Sequence, residues 1–295
     1  MLSELHLIFG IALVLSWICG TVLNSSIVAV YLSDWKKGLN LGACNQIILT
    51  MGCTNLLLQS FLTFHLMFIT YQFSVLLDKE LLLAAVSFGL HFSISLSFWL
   101  TAWLSGCYCV QLFNSSNRFF ILLKREVSTV VAYCLLGSVL TLFIAEMPII
   151  WTTHITTDQN QTSIYSMMDD NIALVLFNFT ISCLLPTIIT SFCIGLSLMS
   201  LLKHVHKMKQ NSSKFWNPQL KSHVKACRTM LLLLAVNLIF SLTVFISSQL
   251  KDKAGVSGIY VPWFILMSNP SGKAIILLFG NSRLATAWSK FLFSQ

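Results

Sequence analysis

The sequence predicts an all-α membrane protein, a bundle of seven transmembrane helices. Three observations carry that expectation. Seven apolar stretches fill most of the 295 residues, 56% of the chain is hydrophobic against 9% charged, and the basic residues collect on alternate connections. A hydrocarbon core ~30 Å thick needs roughly 20 apolar residues per helix. Within it every backbone N–H and C=O must be paired inside the segment, so each stretch must be helical. The spans are expected near Leu5–Leu32, Cys44–Ile69, Leu81–Phe113, Val127–Trp151, Asn171–Leu202, Cys227–Leu250 and Ile259–Phe279. They form a single domain, residues 1–295, because the short connections cannot build a core of their own.

Span one has no basic start. Its apolar run from Leu5 far exceeds the ~7–15 residues of a signal-peptide core, so it reads as an uncleaved anchor. Span two follows Lys36 and Lys37, and span four follows Arg118, Lys124 and Arg125. Between spans five and six lie Lys203, Lys207, Lys209, Lys214, Lys221, Lys225 and Arg228, and the tail adds Arg283 and Lys290. Fourteen of the 18 Lys and Arg residues thus share one side, which the positive-inside rule makes cytoplasmic. The N-terminus is then outside and the C-terminus inside. The net charge of +8 is this inner-face bias, with attraction to anionic membrane lipid, and gives no reason to invoke nucleic acid.

Span five carries Pro186, which removes one backbone hydrogen bond and is expected to kink the helix. The basic connection after it is expected to prolong helices five and six past the membrane. The outer connection Thr152–Asp170 is polar and free of Lys and Arg. It holds the sequon Asn160-Gln161-Thr162, the one acceptor for glycosylation; those at Asn24, Asn114, Asn178 and Asn211 fall in helices or on the inner side. Beyond span seven, Leu284, Trp288, Phe291 and Leu292 recur at helical spacing. That predicts a short amphipathic helix on the inner leaflet, with Trp288 at headgroup depth.

The nine cysteines all lie in or at the ends of spans, so no disulfide framework is expected. Cys107-x-Cys109 has the wrong spacing for a redox CxxC pair. Ionisable residues at membrane depth are functional candidates by default, and these are Glu146, His65, His91 and Lys273. No two share a helix face at catalytic spacing, and HExxH, nucleophile-elbow and phosphate-loop motifs are missing, which argues against an enzyme. His204-Val205-His206 does not bring two imidazoles together on a helix, so no metal and no cofactor is expected.

Several runs go beyond topology. These are Gly20-x-x-x-Asn24, Ser33-Asp34-Trp35-Lys36, Asn45–Thr50, Leu96–Ala102 followed by Cys107-Tyr108, and Phe120–Arg125. Ser200–Met208, Pro218–Met230 and Phe279-Gly280-Asn281-x-Arg283-Leu284 complete the set. In register along the whole chain they resemble the bitter taste (type 2 taste) receptors, with Pro218–Met230 the most specific. There are departures. Leu56 stands where that family has Arg, leaving Asn55 beside Asn24; Leu90 and Ile94 replace Trp and Asn, and Lys273-Ala274 replaces His-Ser or His-Pro. The chain looks like a divergent branch, with vomeronasal type 1 receptors as runner-up and a small-molecule carrier or channel as the alternative of another class.

The resemblance implies a plasma-membrane receptor that binds a small-molecule agonist and activates a gustducin-like heterotrimeric G protein. The positions matching its pocket are His91, Ile94 and Ser95 on helix three, Phe179 and Ser182 on helix five, Phe240, Thr243 and Val244 on helix six, and Trp263 and Met267 on helix seven. The coupling face is expected at Tyr108, Lys203, His204, Lys207, Lys221, Lys225 and Arg228.

Overall fold

The computed structural model describes residues 2–71, 79–112, 125–148, 153–158, 161–166, 172–210, 218–250 and 256–293. Helices α1 (Leu2–Lys36), α2 (Ala43–Tyr71), α3 (Lys79–Leu112) and α4 (Val127–Glu146) come first. Helix α5 runs in three consecutive stretches, Ile172–Phe179, a π turn at Thr180–Leu184, and Leu185–Gln210. Helices α6 (Pro218–Leu250), α7 (Val256–Gly280) and the short α8 (Ser282–Phe293) complete the chain. Seven of these helices are long and apolar enough to cross a membrane. Both ends of the α5–α6 connection are helical well beyond the apolar runs, as the sequence predicts, and the expected end of span four at Trp151 lies outside the described residues.

One element was not foreseen. Strands β1 (Thr153–Asp158) and β2 (Gln161–Ser166) pair antiparallel, Thr153 opposite Ser166 and Asp158 opposite Gln161, and β1 lies against α3. Their runs are rich in Thr, Ile and Tyr, which favour a pleated surface. Asn160 falls between them and lies outside the described residues.

Helix α3 is the centre of the bundle: 56% of its apolar window is buried, against 17% for α4. It packs against α2, α4, α5 and α6, while α1 closes against α2 and α7. The principal core joins Ile27 and Tyr31 of α1, Ile47, Ile48 and Met51 of α2, Leu96, Leu100 and Leu104 of α3, and Leu277 of α7. Close approach needs small residues: a Cβ at Gly89 of α3 would run into the ring of Phe61 on α2. Large apolar side chains such as Phe279 (76% exposed) and Ile144 (72%) point away from the bundle, as lipid-facing positions do.

The short helix expected beyond span seven is present as α8. Asn281 Oδ1 accepts from the backbone N–H of Arg283 (2.9 Å) and Leu284 (3.4 Å), capping α8. Leu284 is then fully buried in the principal core, and the half-buried Trp288 packs against it.

Candidate ligand site and coupling face

The two ends of the bundle differ in chemistry. One carries the β-hairpin and the start of α3; the other carries the basic ends of α5 and α6 and helix α8. In the hairpin-side half, Leu58 and Leu62 of α2 and Met267 of α7 are buried, with Leu90 and Ile94 of α3 and Trp263 of α7 packed around them. The His65 and Trp263 rings meet at 5.8 Å. Three expected pocket residues, Ile94, Trp263 and Met267, therefore come together in an apolar cluster, and Leu90 and Ile94 contribute no polar group to it.

Beside it sits a buried carboxylate. Glu146, at the last turn of α4, is 0% exposed. Its Oε1 accepts from Ser95 Oγ (2.5 Å) and Ser182 Oγ (2.8 Å), and its Oε2 from Asn178 Nδ2 (2.9 Å). One side chain thus ties α3, α4 and α5 together and unites two further expected pocket residues, Ser95 and Ser182. All three donors are neutral, so hydrogen bonds alone replace the water that a buried carboxyl group gives up. In the sequence Asn178 is a sequon within a helix, and its i,i+4 spacing to Ser182 is the one signal of a shared polar face.

Deeper, Lys273 of α7 is 1% exposed, and its Nζ donates to Ser97 Oγ at 2.6 Å. Its Nζ lies 5.8 Å from the centroid of the Phe98 ring. Phe98 meets the expected Phe240 of α6 edge-on at 6.5 Å, and Asn237 Nδ2 donates to Thr101 Oγ1 at 3.1 Å. Thr243 is buried on the same face of α6.

Three expected pocket residues are not drawn into these groups. His91 is exposed, Phe179 is 52% exposed and Val244 is 43% exposed. The cause at Phe179 is the π turn. Leu185 N–H bonds back to Thr180 O, five residues away, so the stretch winds more slowly and Phe179 leaves the face of Ser182. At α6 the buried stripe advances from Asn237 to Phe240 to Thr243 in steps of three, which turns Val244 outward.

Helices one, two and seven are joined by amides. Asn24 Nδ2 donates to Gly20 O (2.8 Å) and Pro270 O (3.2 Å), and Asn55 Nδ2 donates to Asn24 Oδ1 at 2.9 Å. With Leu56 at the position where the resemblance implies Arg, Asn55 supplies the contact to Asn24. Gln59 adds a bond to Trp17 O.

At the opposite end, Tyr108 of α3 packs against both the principal core and a second cluster of Ile194, Cys227 and Met230 from α5 and α6. Asp34 Oδ2 and Arg283 Nη2 meet at 2.7 Å, tying the end of α1 to α8, and Asn281 Nδ2 donates to Tyr31 Oη at 3.0 Å. Lys203, Lys221 and Arg228 are exposed there and Lys225 is half-buried. The side chains of His204 and Lys207 lie outside the described residues, as does residue 120–124 of the Phe120–Arg125 run. Among the described residues, no three His, Cys, Asp or Glu side chains gather as metal ligands would.

The comparisons agree with this architecture. The family model of the taste receptor protein (TAS2R) matches residues 1–295. The chain is similar to taste receptor type 2 member 20 of Gorilla gorilla gorilla, 28% identical over 98% of both chains. It is similar to member 4 of the same species at 27% over 92% of both, and to member 43 of Papio hamadryas at 28% over 96% of this chain and 92% of that one. With seven membrane-length helices and a family match from end to end, the chain belongs to the taste receptor type 2 family, and it is a multi-pass bitter taste G protein-coupled receptor, not an enzyme.

Proposed function

We propose that the hairpin side faces outward and takes a small, mostly apolar agonist between helices two, three, five, six and seven. The basic side then faces the cytoplasm of a plasma-membrane receptor and engages a gustducin-like heterotrimeric G protein. The observation that carries this reading is the pairing of an apolar cluster (Ile94, Trp263 and Met267 with Leu58 and Leu62) with a single polar node at Glu146, Ser95 and Ser182. Small-molecule sites are mostly apolar with a few polar groups that orient the ligand. His91, Phe179, Thr243 and Val244 remain candidates for contact at the rim. Agonist binding acts only by favouring the active helix arrangement; equal affinity for both arrangements shifts nothing.

The outward apolar side chains meet membrane lipid. The exposed Lys203, Lys221 and Arg228 present positive charge to the partner. The receptor reconstituted with heterotrimeric G protein should exchange GDP for GTP in response to agonist. Agonist binding without nucleotide exchange would overturn coupling to that G protein.

The same orientation makes Asn160 the glycosylated residue. Asn160→Gln should remove the mass shift that endoglycosidase produces. A shift that persists in the variant means another sequon faces the lumen and the orientation is reversed or incomplete.

A further inference from the structure

We propose that Cys44 and Cys107 form a redox-modification site, a thiol pair that peroxide oxidises to a disulfide between the ends of α2 and α3. Cys44 stands in the first turn of α2 and Cys107 in the last turns of α3, both at the basic end. Their sulfurs lie 2.8 Å apart, and both are free thiols. Gln111, one turn beyond Cys107 on the same helix, donates its amide N–H to Cys44 Sγ at 3.3 Å and reaches Cys107 Sγ at 3.8 Å. It hydrogen-bonds the sulfurs where negative charge builds when a thiol is attacked or displaced. Cys44 is half-buried and Gln111 is exposed, so a small polar oxidant arriving from that face meets the pair at the edge of the bundle.

The oxidant is hydrogen peroxide. Cys44 Sγ, as thiolate, attacks one peroxide oxygen; the O–O bond breaks, and the departing hydroxide takes a proton to leave as water. The sulfenic acid formed is attacked by Cys107 Sγ. The S–S bond forms, the S–O bond breaks, and a second water departs. Two thiols and one peroxide give one disulfide and two waters. A thiol reductant reverses the step by exchange.

The consequence rests on the G protein reading above. Cys107 immediately precedes Tyr108, which packs against the principal core and against Ile194, Cys227 and Met230 of α5 and α6. A covalent tie from Cys107 to α2 holds Tyr108 in its present packing. It therefore opposes any rearrangement of the α5–α6 ends that needs Tyr108 to move.

The test uses the full chain in membranes treated with hydrogen peroxide, then alkylated and mapped by mass spectrometry. Nine alkylated cysteines should fall to seven, with a cross-linked peptide joining Cys44 to Cys107, and dithiothreitol should restore all nine. Cys44→Ser and Cys107→Ser should each form no such cross-link, with folding checked by surface labelling of an N-terminal tag. Agonist-driven nucleotide exchange should fall at least threefold on oxidation and recover on reduction, and Cys44→Ser should abolish that sensitivity. The second contacting thiol pair, Cys109 with Cys193 between α3 and α5, is the internal control. A cross-link found there instead, or no loss of alkylation, overturns the site. A Cys44–Cys107 disulfide with unaltered exchange overturns the effect on coupling while leaving the modification in place.

Discussion

Glu146 shows what one side chain can do at the junction of three helices. Each of its hydrogen bonds reaches a different position, Ser95 on α3 and Asn178 and Ser182 on α5. Glu146→Ala takes the acceptor from Ser95 and Asn178 and leaves Ser182 only Asn178 Oδ1, and should lower stability by about 1–3 kcal/mol. Glu146→Gln keeps one carbonyl oxygen for the two serines, and a flip of the Asn178 amide restores the third bond. Its melting temperature in detergent should fall much less than that of Glu146→Ala. Equal losses in the two variants would mean that packing, not hydrogen bonding, holds the junction. The residue was legible from sequence because an ionisable group at membrane depth stands out. Its partners were not, since Ser and Asn in apolar helices carry no period that reveals what they face. Asn55 was legible only as the polar neighbour left beside Leu56, and the geometry made it the donor to Asn24.

At the scale of the element, α5 departs most from a regular helix. Because Leu185 N–H returns to Thr180 O, the register passes over Ile181 O, and Pro186 has no N–H to offer it. Trp99 of α3 fills the gap, its indole Nε1–H donating to Ile181 O at 3.0 Å. Proline in the sequence announced an irregularity, but not that it takes the form of a π turn, nor that the face of Phe179 would shift with it. Trp99→Phe should cost about 1 kcal/mol by leaving the carbonyl unpaired. Pro186→Ala restores a backbone N–H near that carbonyl. It should change the agonist dose–response while leaving surface expression largely intact, and it should shrink the penalty of Trp99→Phe. A double-mutant cycle measures the coupling. Strictly additive losses in melting temperature would separate the indole from the irregular turn, and an unaltered dose–response in Pro186→Ala would remove the bend from signalling.

For the whole molecule, the number, order and length of the helices followed from hydropathy, because a bilayer leaves the backbone no other way to pair. The hairpin escaped notice because its twelve residues carry a weak local preference beside seven strong apolar runs. The basic face is where topology and function overlap, so charge alone cannot separate them. Lys221 and Lys225 lie one turn apart near the start of α6, within reach of the end where Tyr108 packs. Complementary charge at such a face mainly speeds encounter and sets register. Changing both to Gln should slow nucleotide exchange by about two- to fivefold at low salt and flatten its dependence on ionic strength, with agonist affinity little changed. Loss of two inside-positive charges could also disturb insertion, which surface labelling of an N-terminal tag detects independently. Normal labelling with slowed, salt-insensitive exchange places these lysines at the coupling face. Normal labelling with unaltered exchange leaves them as residues that orient the chain in the membrane and nothing more.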